Sequence, residues 1–402
     1  MITITLKPKR EDNVLRFHPW IFSGAIARIS DEAHLNEGDL VRVESSSHQF
    51  LALGHWQIGS ISVRIISFVD TVIDRNFFRN KIEAAYALRR NLLLNNELQD
   101  RLTNSYRLIH GEGDGLPGLI VDVYNNTAVL QAHSVGMHHL RQLLAELIVE
   151  LTATAAVPVT KVYYKSEGTM PHKAPVDVHD GYLIGEYESD DDISFENGLR
   201  FRADWLEGQK TGFFLDQRDN RALLEHYAKG RDVLNMFCYT GGFSFYALRG
   251  GARMVHSVDA SDKAIALVNE NINMNFGKVQ CHEAFVTDAF KFLDDIKDRY
   301  DLIILDPPAF AKHRDALHNA LVGYRRLNAL AFRQIRRGGI LFTFSCSQAV
   351  SKEQFRLAVF TAAAQSGRHV RILHQLTQPI DHPISIYHPE GEYLKGLVLY
   401  VE

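Results

Sequence analysis

The chain has 402 residues, of which 46% are hydrophobic and 23% are charged. This composition is typical of a globular protein, and the length favours two or three domains over one. The net charge of -4 at pH 7 argues against a protein that binds nucleic acid over its whole surface, although it leaves room for a local basic patch. No apolar run approaches the ~18 residues of a membrane span, so no membrane association is expected.

The N-terminus and the cysteines indicate the compartment. Residues 1–6 alternate like a strand and then turn basic, which is unlike a signal peptide. Cys238, Cys281 and Cys346 are far apart in the sequence, so neither a disulfide framework nor a cysteine metal site is indicated. We therefore expect a cytoplasmic protein without a bound metal.

The first 72 residues are predicted to form a small domain of short strands. Turn residues separate its apolar segments, and no long helical pattern interrupts them. A barrel or a sandwich fits this pattern. The predicted strands are 3–5, 21–24, 39–43, 50–53 and 61–66.

Residues 73–190 are predicted to form a separate α+β domain. Apolar residues spaced by three or four predict a helix that runs to residue 94, and a second helix is predicted at 137–154. Turn-rich sequence surrounds the predicted strands, as in a set of hairpins. These strands are 106–110, 119–124, 128–132 and 160–165, and a further strand is predicted at 193–201.

Residues 191–402 have the alternation of a doubly wound α/β fold. Buried-type strands are predicted at 233–237, 254–258, 302–305 and 340–344, and amphipathic helices separate them. Repeated β-α-β units of this length predict a parallel sheet with ligand sites at the carboxyl ends of its strands.

Three polar signals follow successive strands of that sheet. Gly241 and Gly242 come after the first strand, Asp259 ends the second, and Asp288 follows where the next strand should end. An acid after the second strand is suited to the two hydroxyls of a ribose, and Asp288 to an adenine amino group. The glycine turn lacks the full G-x-G-x-x-G pattern that cradles a pyrophosphate. The pattern therefore favours S-adenosylmethionine over a nicotinamide dinucleotide.

The next two strand ends carry the candidate chemistry. Asp306, Pro307 and Pro308 form a rigid acidic turn, and Phe310 adds an aromatic ring. Such turns also serve amino-group methyltransferases, so this motif alone does not separate amine from carbon methylation. Cys346 favours carbon, because carbon 5 of a pyrimidine is a poor nucleophile until a thiolate adds to carbon 6.

A basic segment, 311–340, lies between these two motifs. It contains Lys312, Arg325 and Arg326, which we predict to contact the phosphates of a nucleic acid. Pro307, Pro308 and Phe310 are predicted to hold the flat base of the substrate. The alternative is a solvated helix face whose last arginines complement the helix C-terminus, and both interpretations are compatible.

Several motifs together resemble one family, the bacterial RlmI/RlmO-type 23S rRNA cytosine-5 methyltransferases. The resemblance spans essentially the whole chain, and its most specific part is the run 209–221. One departure is Ala309, where these enzymes often carry lysine. The matching segments are 18–24, 209–221, 239–242, 306–308, 345–347, 381–383 and 393–396.

The resemblance implies three domains and a set of roles. It implies an N-terminal PUA domain, a central EEHEE-type domain and a C-terminal Rossmann-like class I methyltransferase domain. By the same resemblance Phe214, Asp216 and Arg218 would lie near the methionine end of the cofactor. The residues themselves predict that Cys346 is the nucleophile and that Asp306 hydrogen-bonds the target cytosine and also lines the cofactor site. The remaining predicted cofactor-binding residues are Phe214, Asp216, Arg218, Asn235, Phe237, Thr240, Gly241, Gly242, Asp259 and Asp288.

The sequence thus predicts methyl transfer from S-adenosylmethionine to carbon 5 of a cytosine in large-subunit rRNA, through a covalent adduct on Cys346. The expected partner is ribosomal RNA, and a second copy of the chain stays open as a further partner. Two alternatives remain. One is a purine methyltransferase of the same fold, which would not need Cys346, and the other is a non-catalytic RNA-binding assembly factor.

Overall fold

The structure is a computed structural model that describes residues 1–94, 102–171, 174, 176–188, 190, 192–311 and 314–402. The chain forms two compact units, each with its own sheets. The first unit consists of Met1–Gly198, Ala203–Leu215 and Ile380–Gly391. The second consists of Leu199–Arg202, Asp216–Pro379 and Glu392–Glu402.

The first unit begins with a six-stranded sheet in the order β2-β6-β5-β4-β1-β3. Its pairs are antiparallel except for β1 with β4, and Ile4, Val41 and Val63 are fully buried in its core. The elements are β1 Ile2–Leu6, α1 Asp12–Leu15, β2 Trp20–Phe22, β3 Ile26–Ile29, β4 Leu40–Glu44, β5 Phe50–Trp56 and β6 Ile61–Ser67.

A five-stranded sheet in the order β11-β10-β9-β8-β7 follows in the same unit. The helix predicted at 137–154 is instead two helices, which meet at Leu140, where φ is -86° and ψ is -4°. The elements are α2 Arg75–Arg89, β7 Ser105–His110, β8 Leu119–Tyr124, β9 Thr127–Ala132, α3 Val135–His139, α4 Arg141–Thr152, β10 Lys161–Tyr164 and β11 Gly181–Ile184.

The prediction of a single strand at 193–201 is wrong. The chain forms two strands there, β12 Ile193–Glu196 and β13 Leu199–Arg202. Asn197 and Gly198 interrupt the extended backbone, since both have positive φ values, of 49° and 79°. An Asn-Gly pair between short apolar runs is a strong turn signal, so the sequence did carry this break.

The buried side chain of Arg89 connects three segments of the first unit. Its guanidinium donates to both carboxylate oxygens of Asp114, at 2.5 and 2.7 Å, and to the carbonyl oxygen of Asp381 at 2.8 Å. The carboxylate of Asp381 in turn accepts from the backbone N–H of Arg107 at 2.9 Å. Helix α2, the turn after β7 and the segment Ile380–Gly391 are therefore joined by one buried charged cluster.

The second unit is built around a seven-stranded sheet in the order β16-β15-β14-β17-β18-β20-β19. The strands from β16 to β18 are parallel, and β20 runs antiparallel to both of its neighbours. The predicted Rossmann-like sheet is confirmed. Its elements are α5 Arg218–Ala228, β14 Asp232–Met236, α6 Gly242–Arg249, β15 Met254–Asp259, α7 Asp262–Phe276, β16 His282–Val286, α8 Ala289–Asp294, β17 Leu302–Leu305, α9 Leu317–Gln334, β18 Gly339–Ser345, α10 Lys352–Ser366, β19 Val370–Leu376 and β20 Lys395–Val401.

Helices cover both faces of this sheet because side chains alternate along each strand. In β14, Leu234 and Met236 belong to the cluster that includes Leu327 of α9. Val233 points the other way, into the cluster with Leu224 of α5. Among the described residues, no helix is both long enough and apolar enough to cross a membrane.

Replacing Arg89 should destabilise the first unit strongly. Arg89→Met leaves the buried Asp114 carboxylate unpaired, which typically costs about 3 to 5 kcal/mol. Arg90→Met is the matched control, because Arg90 is exposed on the next position of the same chain segment. We expect a clear fall in the urea midpoint, followed by circular dichroism, for Arg89→Met alone. Equal midpoints for the two variants would contradict the role of this cluster.

Candidate active site

The register of four parallel strands brings the predicted residues to one edge of the sheet. Met236 of β14 pairs with Val258 of β15 and with Leu305 of β17, and Leu305 pairs with Thr343 of β18. The residues that follow these positions therefore leave the sheet side by side. This edge holds the loops that begin at 237, 260, 306 and 346.

The loop after β14 has a strained backbone. Phe237 and Tyr239 have φ values of 57° and 46°, in a region that bulky residues rarely adopt, and Gly241 has a φ of 88°. Each strained non-glycine residue costs on the order of 1–3 kcal/mol, and such positions cluster at functional sites. A Cβ at Gly241 would also lie 3.2 Å from the Val268 side chain, so a larger residue there would be crowded as well as strained.

Asp259 holds this loop in place. Its Oδ2 accepts a hydrogen bond from the backbone N–H of Tyr239 at 3.0 Å, and its Oδ1 accepts from the backbone N–H of Ser261 at 3.0 Å. A carboxylate oxygen has two lone pairs, so each oxygen can accept one more bond. The half-buried carboxylate is thus oriented to receive two neighbouring hydroxyl groups.

Two buried oxygens beside this loop have no donor among the described residues. Asn235 donates through Nδ2 to the hydroxyl of Ser244 at 2.9 Å, but its Oδ1 has no partner. The hydroxyl of Thr240 also lacks one. Burial of an unpaired oxygen costs free energy unless water or a ligand supplies a donor. This part of the site therefore has acceptor oxygens that are available to a bound ligand.

Gly242 and Asp288 lie at the beginnings of helices. Gly242 is the first residue of α6 and is buried. Asp288 is exposed and caps α8, since its Oδ1 accepts from the backbone N–H of Lys291 at 3.0 Å. Its other carboxylate oxygen has no partner among the described residues and faces an open surface.

Asp306 is an unusual carboxyl group held by two amides. Its Oδ2 accepts from Nε2 of Gln217 at 3.1 Å, and Oε1 of Gln217 accepts from Nδ2 of Asn220 at 2.6 Å. Burial, with a further contribution from the negative charge of Asp216, raises the pKa of Asp306 to about 7. At neutral pH the group is therefore about half protonated and can either donate or accept a hydrogen bond.

The start of α5 carries the other acidic and basic residues near Asp306. Oδ2 of Asp216 accepts from the hydroxyl of Tyr393 at 2.7 Å. Arg218 and Arg221 are both buried, and Arg221 opposes the rise in the pKa of Asp306. Phe214, the remaining predicted residue of this run, is half-buried and belongs to the first unit.

Serines on both sides of Cys346 fix its position. The Ser345 hydroxyl bonds to the hydroxyl of Tyr324 at 2.9 Å, and the Ser347 hydroxyl donates to the carbonyl oxygen of Ala311 at 2.5 Å. The thiol of Cys346 itself points to the carbonyl oxygen of Pro307, 4.0 Å from the sulfur. The nucleophile candidate and the Asp306-Pro307 turn are therefore direct neighbours.

Lys395 of β20 forms hydrogen bonds to the backbone of the same loop. Its ammonium donates to the carbonyl oxygens of Ser347 and Val350, at 2.6 and 2.8 Å. Burial lowers the pKa of Lys395 to about 8, and the group is still mainly charged at neutral pH. A buried cation thus lies beside the loop that carries Cys346.

Electrostatics keep Cys346 protonated in the ligand-free protein. Burial raises the pKa of the thiol to about 12, and the charges of Asp306 and Asp216 add to this effect. Lys395 acts in the opposite direction. The thiol therefore becomes a nucleophile only if something removes its proton or neutralises the neighbouring carboxyl groups.

The predicted substrate-binding residues differ in exposure. Pro308 and Arg326 are exposed and Arg325 is partly exposed, whereas Pro307 is buried. The Phe310 ring packs against the ring of Tyr324 in helix α9, with centroids 4.7 Å apart. Part of the Phe310 ring is therefore already in contact with this helix. Lys312 lies outside the described residues.

The positioning residues were not identified from the sequence. Gln217 and Asn220 lie within the run 209–221, which carried the resemblance, but nothing in the run distinguished the residues that would contact Asp306. Lys395 lies within another such motif, 393–396. Tyr324 gave no signal, because a tyrosine in a helix with apolar periodicity reads as an ordinary core residue.

Comparison with known families agrees with this geometry. Residues 107–385 match the model of the S-adenosylmethionine-dependent methyltransferases, and residues 4–68 match that of a PUA-like domain. The chain belongs to this methyltransferase family, and its cofactor is S-adenosylmethionine. A solved methyltransferase from Streptococcus mutans has the same fold over 100% of both chains, with a TM-score of 0.83 at 21% identity. Another solved methyltransferase, in complex with S-adenosylhomocysteine, also has a TM-score of 0.83, at 22% identity.

The sequence relatives are more specific. The chain is 40% identical to ribosomal RNA large subunit methyltransferase I of Tolumonas auensis, over 99% of this chain and 98% of the relative. It is 39% identical to the protein of the same name from Shewanella frigidimarina, with the same coverage.

The raised pKa of Cys346 predicts slow alkylation that accelerates with pH. Between pH 7 and 10 the iodoacetamide rate at Cys346 should rise about tenfold per pH unit, because the thiolate fraction rises in that proportion below the pKa. Asp306→Asn removes a negative charge, lowers the pKa of the thiol and should speed alkylation at every pH. Asp288→Asn is the control and should change nothing.

Peptide mass spectrometry of the alkylated protein measures each cysteine separately. Cys238, which is buried and also has a raised pKa, serves as an internal reference. A rate at Cys346 that levels off near pH 8 would show an ordinary thiol and contradict this electrostatic picture.

Proposed function

We propose that the chain methylates carbon 5 of a cytosine in large-subunit (23S) ribosomal RNA, through a covalent adduct on Cys346. The observation that carries this proposal is the placement of the Cys346 thiol against the Asp306-Pro307 turn at neighbouring strand ends. The names of the relatives support ribosomal RNA as the substrate. The purine alternative gives this half-buried thiol no role in the reaction.

The residues at the strand ends fit the cofactor. Asp259 has free lone pairs for the two ribose hydroxyls, and Asp288 has an unpaired carboxylate oxygen for the adenine amine. Asn235 of β14 and Thr240 of the strained loop add two buried oxygens that have no partner among the described residues. Asp216 and Arg218, which belong to the same unit, are proposed for the methionine end. When bound, S-adenosylmethionine supplies an electrophilic methyl group.

Cys346 and Asp306 divide the work on the base. The sulfur of Cys346 forms a bond to carbon 6, and the electrons of the ring double bond move toward carbon 5. Asp306, whose pKa is about 7, gives a proton to N3 or shares it in a hydrogen bond, which limits the negative charge on the ring. After carbon 5 is methylated, water removes its proton, the sulfur–carbon bond breaks, and the N3 proton returns to Asp306 as the thiolate is restored.

The same pair accounts for activation of a thiol with a pKa of about 12. Ionised Asp306 can accept the thiol proton, because burial has made this carboxyl group a stronger base than usual. The proton then passes to N3 of the base while the sulfur attacks carbon 6. Lys395 supports the thiolate during this exchange by its buried positive charge.

Helix α9 presents the arginines proposed for RNA. Arg326 is exposed and lies over the Phe290 ring at 5.0 Å, and Arg333 near the end of the helix is also exposed. Arg336 has a different role, since it bonds to Asp232 and Asp301 within the fold. The exposed arginines supply phosphate contacts, which position RNA without reading its sequence.

Cofactor affinity should depend on Asp259. Asp259→Ala removes two charge-assisted hydrogen bonds and the support of the Tyr239 backbone, a loss of roughly 2 to 4 kcal/mol. Calorimetry with S-adenosylmethionine should show affinity reduced at least tenfold. Asp262→Ala, an exposed acid in the first turn of α7, should leave affinity unchanged. Affinity of Asp259→Ala within twofold of the wild type would remove Asp259 from the site.

RNA that carries 5-fluorocytidine at the target should become covalently attached to the protein. Fluorine at carbon 5 cannot leave as a proton, so elimination stops after methyl transfer. Cys346→Ala should abolish both the adduct and turnover but keep cofactor affinity, and Asp306→Asn should slow adduct formation. Cys281→Ala is the control and should form the adduct normally. Methylation by Cys346→Ala at the normal rate would exclude the cytosine-5 mechanism and favour a purine target.

A further inference from the structure

The first unit contains a cavity of about 420 Å³. None of its lining residues belongs to the candidate active site described above. It lies between the end of β6, helix α2, the turn after β7 and the segment Ile380–Gly391, all within this unit. Beside aliphatic, proline and serine residues, its lining contains aromatic rings, one lysine and one glutamate. They are Phe17, Phe68, Phe77, Tyr387, Lys81 and Glu112.

The aromatic rings form a partly exposed wall. The Phe17 ring lies 5.3 Å from the Phe68 ring and 5.3 Å from the Tyr387 ring, between centroids. Phe17 is 48% exposed and Tyr387 is 51% exposed, so this wall is not simply part of the core. Phe17 also has a φ of 64°, a strained conformation for a phenylalanine, and such strain is more frequent at binding sites.

Lys81 supplies an unneutralised positive charge. Among the described residues its ammonium makes no hydrogen bond and no ion pair, and its one aromatic contact is the Phe77 ring at 5.6 Å. Burial lowers the pKa of Lys81, which shows that desolvation of the charge is not compensated. An anion in the cavity would restore the missing interaction.

Glu112 is held rigidly and keeps acceptor capacity. Its Oε1 accepts from Nε1 of Trp20 at 2.7 Å and lies 3.6 Å from the guanidinium of Arg64. Its Oε2 has no donor within the part of the chain that the structure describes. This oxygen is suited to an amino group on a ligand.

We propose that this cavity binds one unpaired nucleotide of the RNA substrate. The base would stack on the Phe17 and Tyr387 wall, an exocyclic amine would donate to Glu112, and the phosphate would pair with Lys81. Flat ring, amine and anion are found together in a nucleotide, and the cavity volume is within the range of small-ligand sites. The choice of RNA as the source rests on the proposed function, whereas the recognition of a nucleotide does not.

Fluorescence of 2-aminopurine provides the test, because stacking on an aromatic ring changes its emission. A single-stranded RNA hexamer with one internal 2-aminopurine is titrated with the full chain, and 2-aminopurine riboside 5′-monophosphate forms the second arm. We expect saturable quenching with the hexamer. Tyr387→Ala should weaken binding at least fivefold, because stacking contributes substantially per base. Tyr387→Phe, which keeps the ring, should bind like the wild type.

Neighbouring and conservative variants separate the cavity from general effects. Ile386→Ala is the matched control, since Ile386 is exposed beside Tyr387 and does not line the cavity. Lys81→Met should weaken hexamer binding and reduce its dependence on salt by about one phosphate contact. Lys81→Arg keeps the positive charge, so it should bind the hexamer with the affinity and the salt dependence of the wild type. Circular dichroism spectra and melting curves confirm that each variant is folded.

Specific outcomes would overturn the proposal. Hexamer quenching that Tyr387→Ala and Lys81→Met leave unchanged would exclude a nucleotide site in this cavity. Quenching of the free monophosphate but not of the hexamer would exclude RNA as the source. Neither outcome bears on cytosine-5 methylation, which is measured by the 5-fluorocytidine adduct. Conversely, if the 5-fluorocytidine adduct does not form, the interpretation of the hexamer measurement does not change.

Discussion

The parallel register of β14, β15, β17 and β18 is the constraint on which the candidate site depends. Asp259, Asp306 and the thiol of Cys346 come from three different strand ends and are far apart in the sequence. A slip of one residue in any strand would turn its side chains to the opposite face of the sheet. The apolar layers on both faces prevent such a slip, so the hydrophobic core is also what aligns the chemistry.

The cost of this arrangement is concentrated at Asp306 and Cys346. Both are groups whose charged forms are disfavoured by burial, as their raised pKa values show. The surrounding hydrogen bonds do not remove this cost but fix the geometry, through Gln217 on one side and Lys395 on the other. A site built in this way is poorly reactive without a substrate, which protects the thiol from alkylation and oxidation.

The sequence predicted the architecture well where periodicity was strong. Four parallel strands of the second unit, and the strand ends that carry Asp259, Asp306 and Cys346, followed from repeated β-α-β spacing, whereas β19 and the antiparallel β20 were not predicted. The prediction of a single strand at 193–201 was wrong, because the β-propensity of this segment was given more weight than its Asn-Gly turn signal. The sequence also could not identify Gln217 or Tyr324, because their roles depend on contacts between residues far apart in the chain. Electrostatic shifts were equally inaccessible, since they depend on burial rather than on residue type.

Strand β20 has a consequence for the order in which the second unit can assemble. Its residues, Lys395–Val401, pair with β18 on one side and with β19 on the other, although both neighbours precede them in the chain. During synthesis β18 therefore keeps an open edge after β19 has been made, and this edge can pair with other extended chains. The loop that holds Cys346 acquires its lysine support only in this final step. The nascent protein is thus exposed to edge-to-edge aggregation at β18 until β20 has been added.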